Sequence, residues 1–216
     1  MLSTRDLRFA YPNDGFSLSV AEFFAAEGET VGIGGPSGTG KSTFLRLLSG
    51  ILKPDAGTVN ICGANAARLS AGSLRALRLR SLGLVFQDFA LLDYLSVEDN
   101  ILLPSRLEGT LTDPVRWRAL ELVEQLEIGQ HQHRLCGEIS QGERQRVAVA
   151  RALAHSPRAV LADEPTASLD ARRSQIVMEL LTRYARVKNA ALVIVTHDAG
   201  LAAQLDRVVN VEEWTP

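Results

Sequence analysis

The chain has 216 residues, 46% of them hydrophobic and 22% charged, and its formal net charge at pH 7 is −2. That length supports one large core, or one domain with a satellite lobe, and the near-neutral charge leaves no electrostatic case for nucleic acid as the main partner. No window approaches the roughly 20 apolar residues needed to cross a bilayer and the first residues carry no signal-peptide pattern, so a cytosolic chain without direct membrane insertion is expected.

Leu7-Arg8-Phe9-Ala10-Tyr11-Pro12 is followed, past Asn13-Asp14-Gly15, by Phe16, Leu18 and Val20 alternating with Ser17 and Ser19. This predicts a strand pair facing one way, with Tyr11 near a strand end, where its ring either packs or offers a stacking face to a nucleobase. Next, the β-branched run Glu29-Thr30-Val31-Gly32-Ile33 leads into Gly34-Gly35-Pro36-Ser37-Gly38-Thr39-Gly40-Lys41-Ser42-Thr43, and Phe44 to Leu48 reads as the first turns of a helix. Strand, glycine-rich loop, helix is the context that a phosphate-cradling loop requires. From Gly35 the spacing is Gly, four residues, Gly40, Lys41, Ser42. The glycines let successive N–H groups converge on phosphate oxygens at the positive end of the helix, Lys41 adds a mobile charge between β- and γ-phosphates, and the Ser42 hydroxyl can ligate Mg²⁺.

Gly50 stops that helix, and Lys53-Pro54-Asp55-Ala56-Gly57 reads as a tight turn before the strand Thr58 to Ile61. Ser73 to Arg80 forms a short amphipathic helix whose arginines are a solvated face. Gly83-Leu84-Val85-Phe86 is a buried strand ending on Gln87. Cys62 and Cys136 lack metal-like companions and read as reduced structural thiols. A helical region runs from about Ser96 to Ala154. Ser96 and Asp99 resemble a capping box, and Asp113-Pro114 places a cap and an N1 proline. Between Gln87 and Ser96 lies an unusually apolar connector, Phe89, Leu91, Leu92, Tyr94 and Leu95, which either packs inside the lobe or docks a partner. His131-Gln132-His133 reads as a solvated loop.

Ser140-Gln141-Gly142-Glu143 opens another helix with capping-box spacing. Past Pro157, the apolar strand Ala159 to Ala162 ends in Asp163-Glu164, two carboxylates that are costly at a buried strand end unless something positive meets them. Asp170 caps a further helix, and the core strand Ala191 to Val195 ends in Thr196-His197-Asp198. Strands alternating with helices in both flanks predict an α/β fold, a mostly parallel sheet wrapped by helices. Ligands bind beyond the carboxyl ends of such strands, so the glycine-rich loop, Gln87, Asp163-Glu164 and His197 can face one nucleotide. Asp163 is placed to hold Mg²⁺ with Ser42, Glu164 to polarise an attacking water, and His197 to donate to the γ-phosphate or transition-state oxygens.

These motifs together with Ile139-Ser140-Gln141-Gly142-Glu143-Arg144-Gln145-Arg146 resemble the ATP-binding subunits of ABC transporters over nearly the whole chain. The resemblance implies a P-loop NTPase core with an N-terminal antiparallel β part and an inserted helical subdomain: one nucleotide-binding domain over residues 1–216, with 1–87 and 155–216 as core and 88–154 as the helical part. It implies that Ser140, Gln141 and Gly142 meet ATP held by a second copy, so that two ATPs close a homodimer. Tyr11 matches the adenine-stacking aromatic and Gln87 the glutamine that senses Mg²⁺ and a transmembrane permease. Asp170 falls in the loop crossing the dimer interface, Glu164 matches the catalytic base and His197 the switch histidine. Such a subunit lies peripherally on the cytoplasmic face of the inner membrane. The signature departs from the commonest pattern at Ile139, Gln141 and Glu143, where leucine, glycine and glutamine are usual. Within the family the lipoprotein-release and macrolide-export group is most alike, and cell-division ATPases share much of the pattern. A P-loop kinase or GTPase-like switch gives Ser140 to Arg146 no role, and non-transport cassettes typically carry long insertions or two nucleotide domains, which this chain lacks.

Overall fold

The computed structural model describes residues 1–12 and 15–214; the Asn13-Asp14 part of the predicted turn lies outside the described residues. In chain order the elements are β1 (Leu2–Ala10), β2 (Ser17–Ala25), β3 (Thr30–Gly34), α1 (Lys41–Leu48), β4 (Ala56–Ile61), β5 (Ala64–Asn65), α2 (Ala71–Ser81), β6 (Leu82–Val85), α3 (Val97–Glu108), α4 (Asp113–Gln125), α5 (Gln141–Ala154), β7 (Ala159–Asp163), α6 (Ala171–Lys188), β8 (Ala191–Val195), α7 (Ala199–Ala202) and β9 (Arg207–Asn210). An antiparallel sheet ordered β2-β1-β4-β5 faces a parallel sheet ordered β6-β7-β8-β3-β9. The expected α/β architecture is therefore present, with its antiparallel part at the N-terminus.

Strand and helix periodicities assemble two cores. Between the sheets, α1 is wedged with Phe44 fully buried, its ring 5.0 Å from Phe23 and 4.4 Å from Trp214. On the other face of the parallel sheet, α5 and α6 pack with residues of α3 and α4. β7 and β8 are buried along their whole length, which explains why they read as continuous apolar runs rather than alternating ones. No helix among the described residues is long and apolar enough to cross a membrane.

Several local expectations need correction. β1 begins at Leu2, five residues before the apolar run suggests, because the polar Thr4 also points inward and is 2% exposed. Thr112, not Asp113, is the N-cap of α4, so Asp113 is the first helical residue and Pro114 follows it. The Ser96 hydroxyl accepts from Asp99 N–H and donates to its carboxylate, half of a capping box. The basic side of α2 is not wholly solvated: Arg78 is half-buried and donates to the Gly50 carbonyl, 2.9 Å away, at the end of α1. The connector divides, Leu91 entering the core while Tyr94 is 72% exposed. His131 is not a solvated loop residue either: its side chain is 12% exposed and lies 2.8 Å from Glu143.

Candidate functional site

β3 delivers the chain into the glycine-rich loop and α1 leaves it. The turn between them needs glycine at position 40. Its φ is +91°, and a Cβ there would lie 2.4 Å from the Phe16 ring. Lys41 is the first residue of α1 and is 6% exposed; its ammonium donates to the carbonyls of Gly35 at 2.7 Å and Pro36 at 2.6 Å. The Thr39 hydroxyl also donates to Pro36 O. Burial lowers the Lys41 pKa, and the nearby charges of Glu164 and Asp163 oppose that shift. The loop is thus folded around its own lysine.

A cleft of about 620 Å³ opens above this loop. Tyr11, Ser37, Gly38, Gly40, Lys41, Ser42, Thr43, Gln87, Asp163, Glu164 and His197, all expected at the site, line it. A smaller neighbouring cavity of about 350 Å³ shares Ser42, Gln87 and Asp163. Tyr11 stands beside the helix start, its hydroxyl 3.3 Å from that of Thr43. Phe16 is a lining residue that sequence reasoning did not single out. It faces Tyr11 with ring centroids 6.1 Å apart, and its alternation with Leu18 carried only a packing signal.

The opposite wall is made by the ends of β7 and β8, where Asp163 pairs in register with Val195. The next residue, Glu164, turns left-handed at φ +49°, a costly geometry for a side chain with a Cβ, and its N–H donates to Val195 O at 2.9 Å. That turn brings the Glu164 carboxylate within 3.1 Å of His197 Nε2. Burial raises the pKa of Glu164, opposed by the His197 charge and a backbone hydrogen bond from His197. Burial likewise raises the pKa of Asp163, opposed by a hydrogen bond with Ser42 and by the charges of Arg46, Lys41 and His197. Two carboxylates at one buried strand end, with Lys41 tied to loop carbonyls, form an electrostatic well for a cation. Among the described residues no three His, Cys, Asp or Glu side chains form a complete metal cage. One buried carboxylate beside a serine hydroxyl fits Mg²⁺, which keeps water and substrate oxygens as its other ligands.

Ser140, Gln141, Gly142 and Asp170 stand outside this cleft. Ser140 caps α5 in a complete capping box with Glu143, and exposed Asp170 caps α6 while pairing with Arg173. The two caps are neighbours, since a Cβ on Gly142 would lie 3.0 Å from Ser168 O. The chain therefore carries two separate groups of predicted residues, a loop-and-strand-end cleft and an exposed pair of helix N-termini.

A sequence profile described as "ABC transporter" matches residues 18–167. The chain is 44% identical to the lipoprotein-releasing system ATP-binding protein LolD of Xylella fastidiosa, over 92% of this chain and 80% of that one. It is 45% identical to the LolD protein of Bordetella pertussis, over 90% of this chain and 84% of that one. Among solved structures it is similar to the dimeric ATP-binding cassette MJ0796 in a post-hydrolysis state bound to ADP and Pi, at 32% identity and a TM-score of 0.90, covering 97% of this chain and 94% of that one.

Proposed function

The chain belongs to the ABC transporter family and is an ATP-hydrolysing cassette, and from that premise we propose that two copies close over two ATPs to drive a transmembrane partner in lipoprotein or lipid extraction. One observation carries the reading: the residues expected to meet one ATP fall into two groups that a single chain does not bring together. A second copy, turned so that its Ser140 and Gly142 face the first copy's cleft, completes the site, with the α5 N-terminus aimed at a γ-phosphate. The dimeric cassette relatives support this arrangement, and the LolD relatives support the lipoprotein reading.

In this reading Lys41 leaves the carbonyls of Gly35 and Pro36 for the β- and γ-phosphates, and the N–H groups of residues 35–43 cradle them. Tyr11 stacks on adenine. Ser42, Gln87 and Asp163 hold Mg²⁺, which supplies charge neutralisation at the phosphates. Glu164 accepts a proton from the attacking water, and its raised pKa makes it a better base than a solvated carboxylate. His197 positions Glu164 and donates to the transferring phosphate.

Residues 88–154 act as the arm that carries Ser140, while 1–87 and 155–216 form the nucleotide-holding core. A groove of about 210 Å³ between α2, α3 and β6, with Leu79, Phe86, Leu103 and Leu107 among its walls, lies beside the connector and suits a helix of the membrane partner, holding the subunit peripherally on the cytoplasmic face. Glu164→Gln is expected to abolish hydrolysis and to trap an ATP-dependent dimer visible by size-exclusion chromatography. Hydrolysis at the normal rate in that variant would sink the assignment of Glu164.

A further inference from the structure

Glu143 stands where the commonest signature has a neutral glutamine, which places a carboxylate beside the turn expected to receive a phosphate. Its two oxygens have different duties. Oε2 accepts the Ser140 backbone N–H at 2.7 Å and the Ser140 hydroxyl at 2.8 Å, while Oε1 lies 2.8 Å from His131 Nε2. The only hydrogen of the Ser140 hydroxyl is thus committed to Glu143. To donate to a phosphate oxygen that hydroxyl must turn away, and a free carboxylate would both compete for the hydrogen and repel the phosphate.

His131 counters both effects. Its ring is mostly buried, with Nδ1 left without a hydrogen-bond partner among the described residues, and it reaches Glu143 through Nε2 from the three-residue helical turn Gly129–His131. Arg146, 5% exposed and with Nε and Nη1 lacking a hydrogen-bond partner among the described residues, adds a positive charge near Glu143. Burial pushes the Glu143 pKa up, but the two Ser140 hydrogen bonds, followed by the His131 and Arg146 interactions, bring it below its ordinary value.

We propose that His131 is a positioning residue of the signature turn: by hydrogen-bonding Oε1 of Glu143 it fixes that carboxylate and weakens its hold on Ser140, so that Ser140 is free to meet the phosphate of a partner copy's nucleotide. The inference rests on the reading that Ser140 and Gly142 engage a nucleotide across a dimer. Its content is a coupling between His131 and the charge at position 143, which a merely structural loop residue would not show.

The test is a double-mutant cycle on the full chain, read as the ATP concentration giving half-maximal hydrolysis. His131→Asn is expected to raise that concentration about fivefold with kcat nearly unchanged, the pattern of lost binding rather than lost chemistry. In the Glu143→Gln background the same substitution should move it by less than about twofold, because no carboxylate remains to be held. His131→Lys should stay close to the parent, and His131→Gln replaces the asparagine variant should that one fail to fold. Equal fold-changes in both backgrounds, or lysine faring no better than asparagine, would overturn the proposal. Ser140→Arg in the Glu164→Gln protein separates the two levels. If ATP still drives dimerisation there, the cross-dimer reading fails and this inference with it; if dimerisation is lost but His131 and Glu143 act additively, the inference alone fails.

Discussion

Replacing Arg151 with methionine should loosen one segment selectively. Arg151 is 8% exposed, and its guanidinium fork donates to Phe89 O at 2.6 Å and to Ala90 O, both in the connector after Gln87. Phe89 and Ala90 are held left-handed, at φ +63° and +46°, a geometry costing on the order of 1–3 kcal/mol per residue. Methionine keeps most of the stem and removes the fork, losing two hydrogen bonds to a charged donor, about 1.5–3 kcal/mol each. Against this, burial holds the Arg151 pKa well below the usual guanidinium range, at about 10. Removing that charge returns on the order of 3 kcal/mol. The net global loss is therefore small, between zero and about 3 kcal/mol, or a fall in Tm of no more than roughly 12 °C for a chain of this size. Local opening gains more, because the strained turn loses its clamp. Hydrogen exchange should accelerate at least about tenfold at the amides of Leu92 and Cys136, which donate to Asn100 Oδ1 and Leu95 O. The β7 and β8 amides should not change. Uniform acceleration across the sheet, or full restoration by Arg151→Lys, would refute the reasoning, the latter by showing that charge alone suffices where two separated carbonyls demand a fork.

Two further outcomes follow from titrations. Burial raises the Asp163 pKa, so the folded state binds that proton more tightly than the unfolded chain, and ionisation costs stability above the raised pKa. Asp163→Asn should therefore raise the Tm of the nucleotide-free protein at neutral pH, with the gain disappearing as pH falls through the raised pKa toward 3.8; a gain persisting undiminished in acid would contradict the burial argument. The Cys136 thiol is fully buried, receives the Asn100 amide at 3.2 Å and is pushed up to about 11 by burial. Iodoacetamide at pH 8 should leave it unlabelled until denaturant is added, as mass spectrometry would read; labelling at the rate of a free peptide thiol would be the contrary result.

The cleft was largely legible because its signals are local. Glycine spacing, a lysine after the last glycine, and carboxylates closing an apolar run are each written within a few residues, and one topological rule gathers them at the same edge of a sheet. Buried polar partnerships were not legible. Arg151 falls among small apolar residues of α5, and nothing local says that it reaches Phe89 and Ala90, about 60 positions earlier. Asn100 reads as an ordinary first-turn residue of α3, yet it is fully buried and spans Leu92, Leu95, Ser96 and Cys136. His131 misled for the same reason: a polar neighbourhood in sequence became a nearly closed contact once the α5 N-terminus folded against it. The strand order was equally hidden, since periodicity marks strands but not their neighbours.

That strand order shapes how the protein is made. β3, which presents the phosphate loop, lies between β8 and β9, and the Thr30 hydroxyl and N–H are both satisfied by Asp206, 176 positions later. On a ribosome the loop's strand emerges before both of its neighbours and waits, unpaired on both edges, until β8 and β9 have been translated. Such long-range closure is slow and leaves an apolar strand exposed to aggregation in the meantime. Nucleotide affinity should thus appear late and all at once in synthesis, and a nascent chain arrested before β8 should display the complete Gly34 to Thr43 sequence without the ability to bind a phosphate.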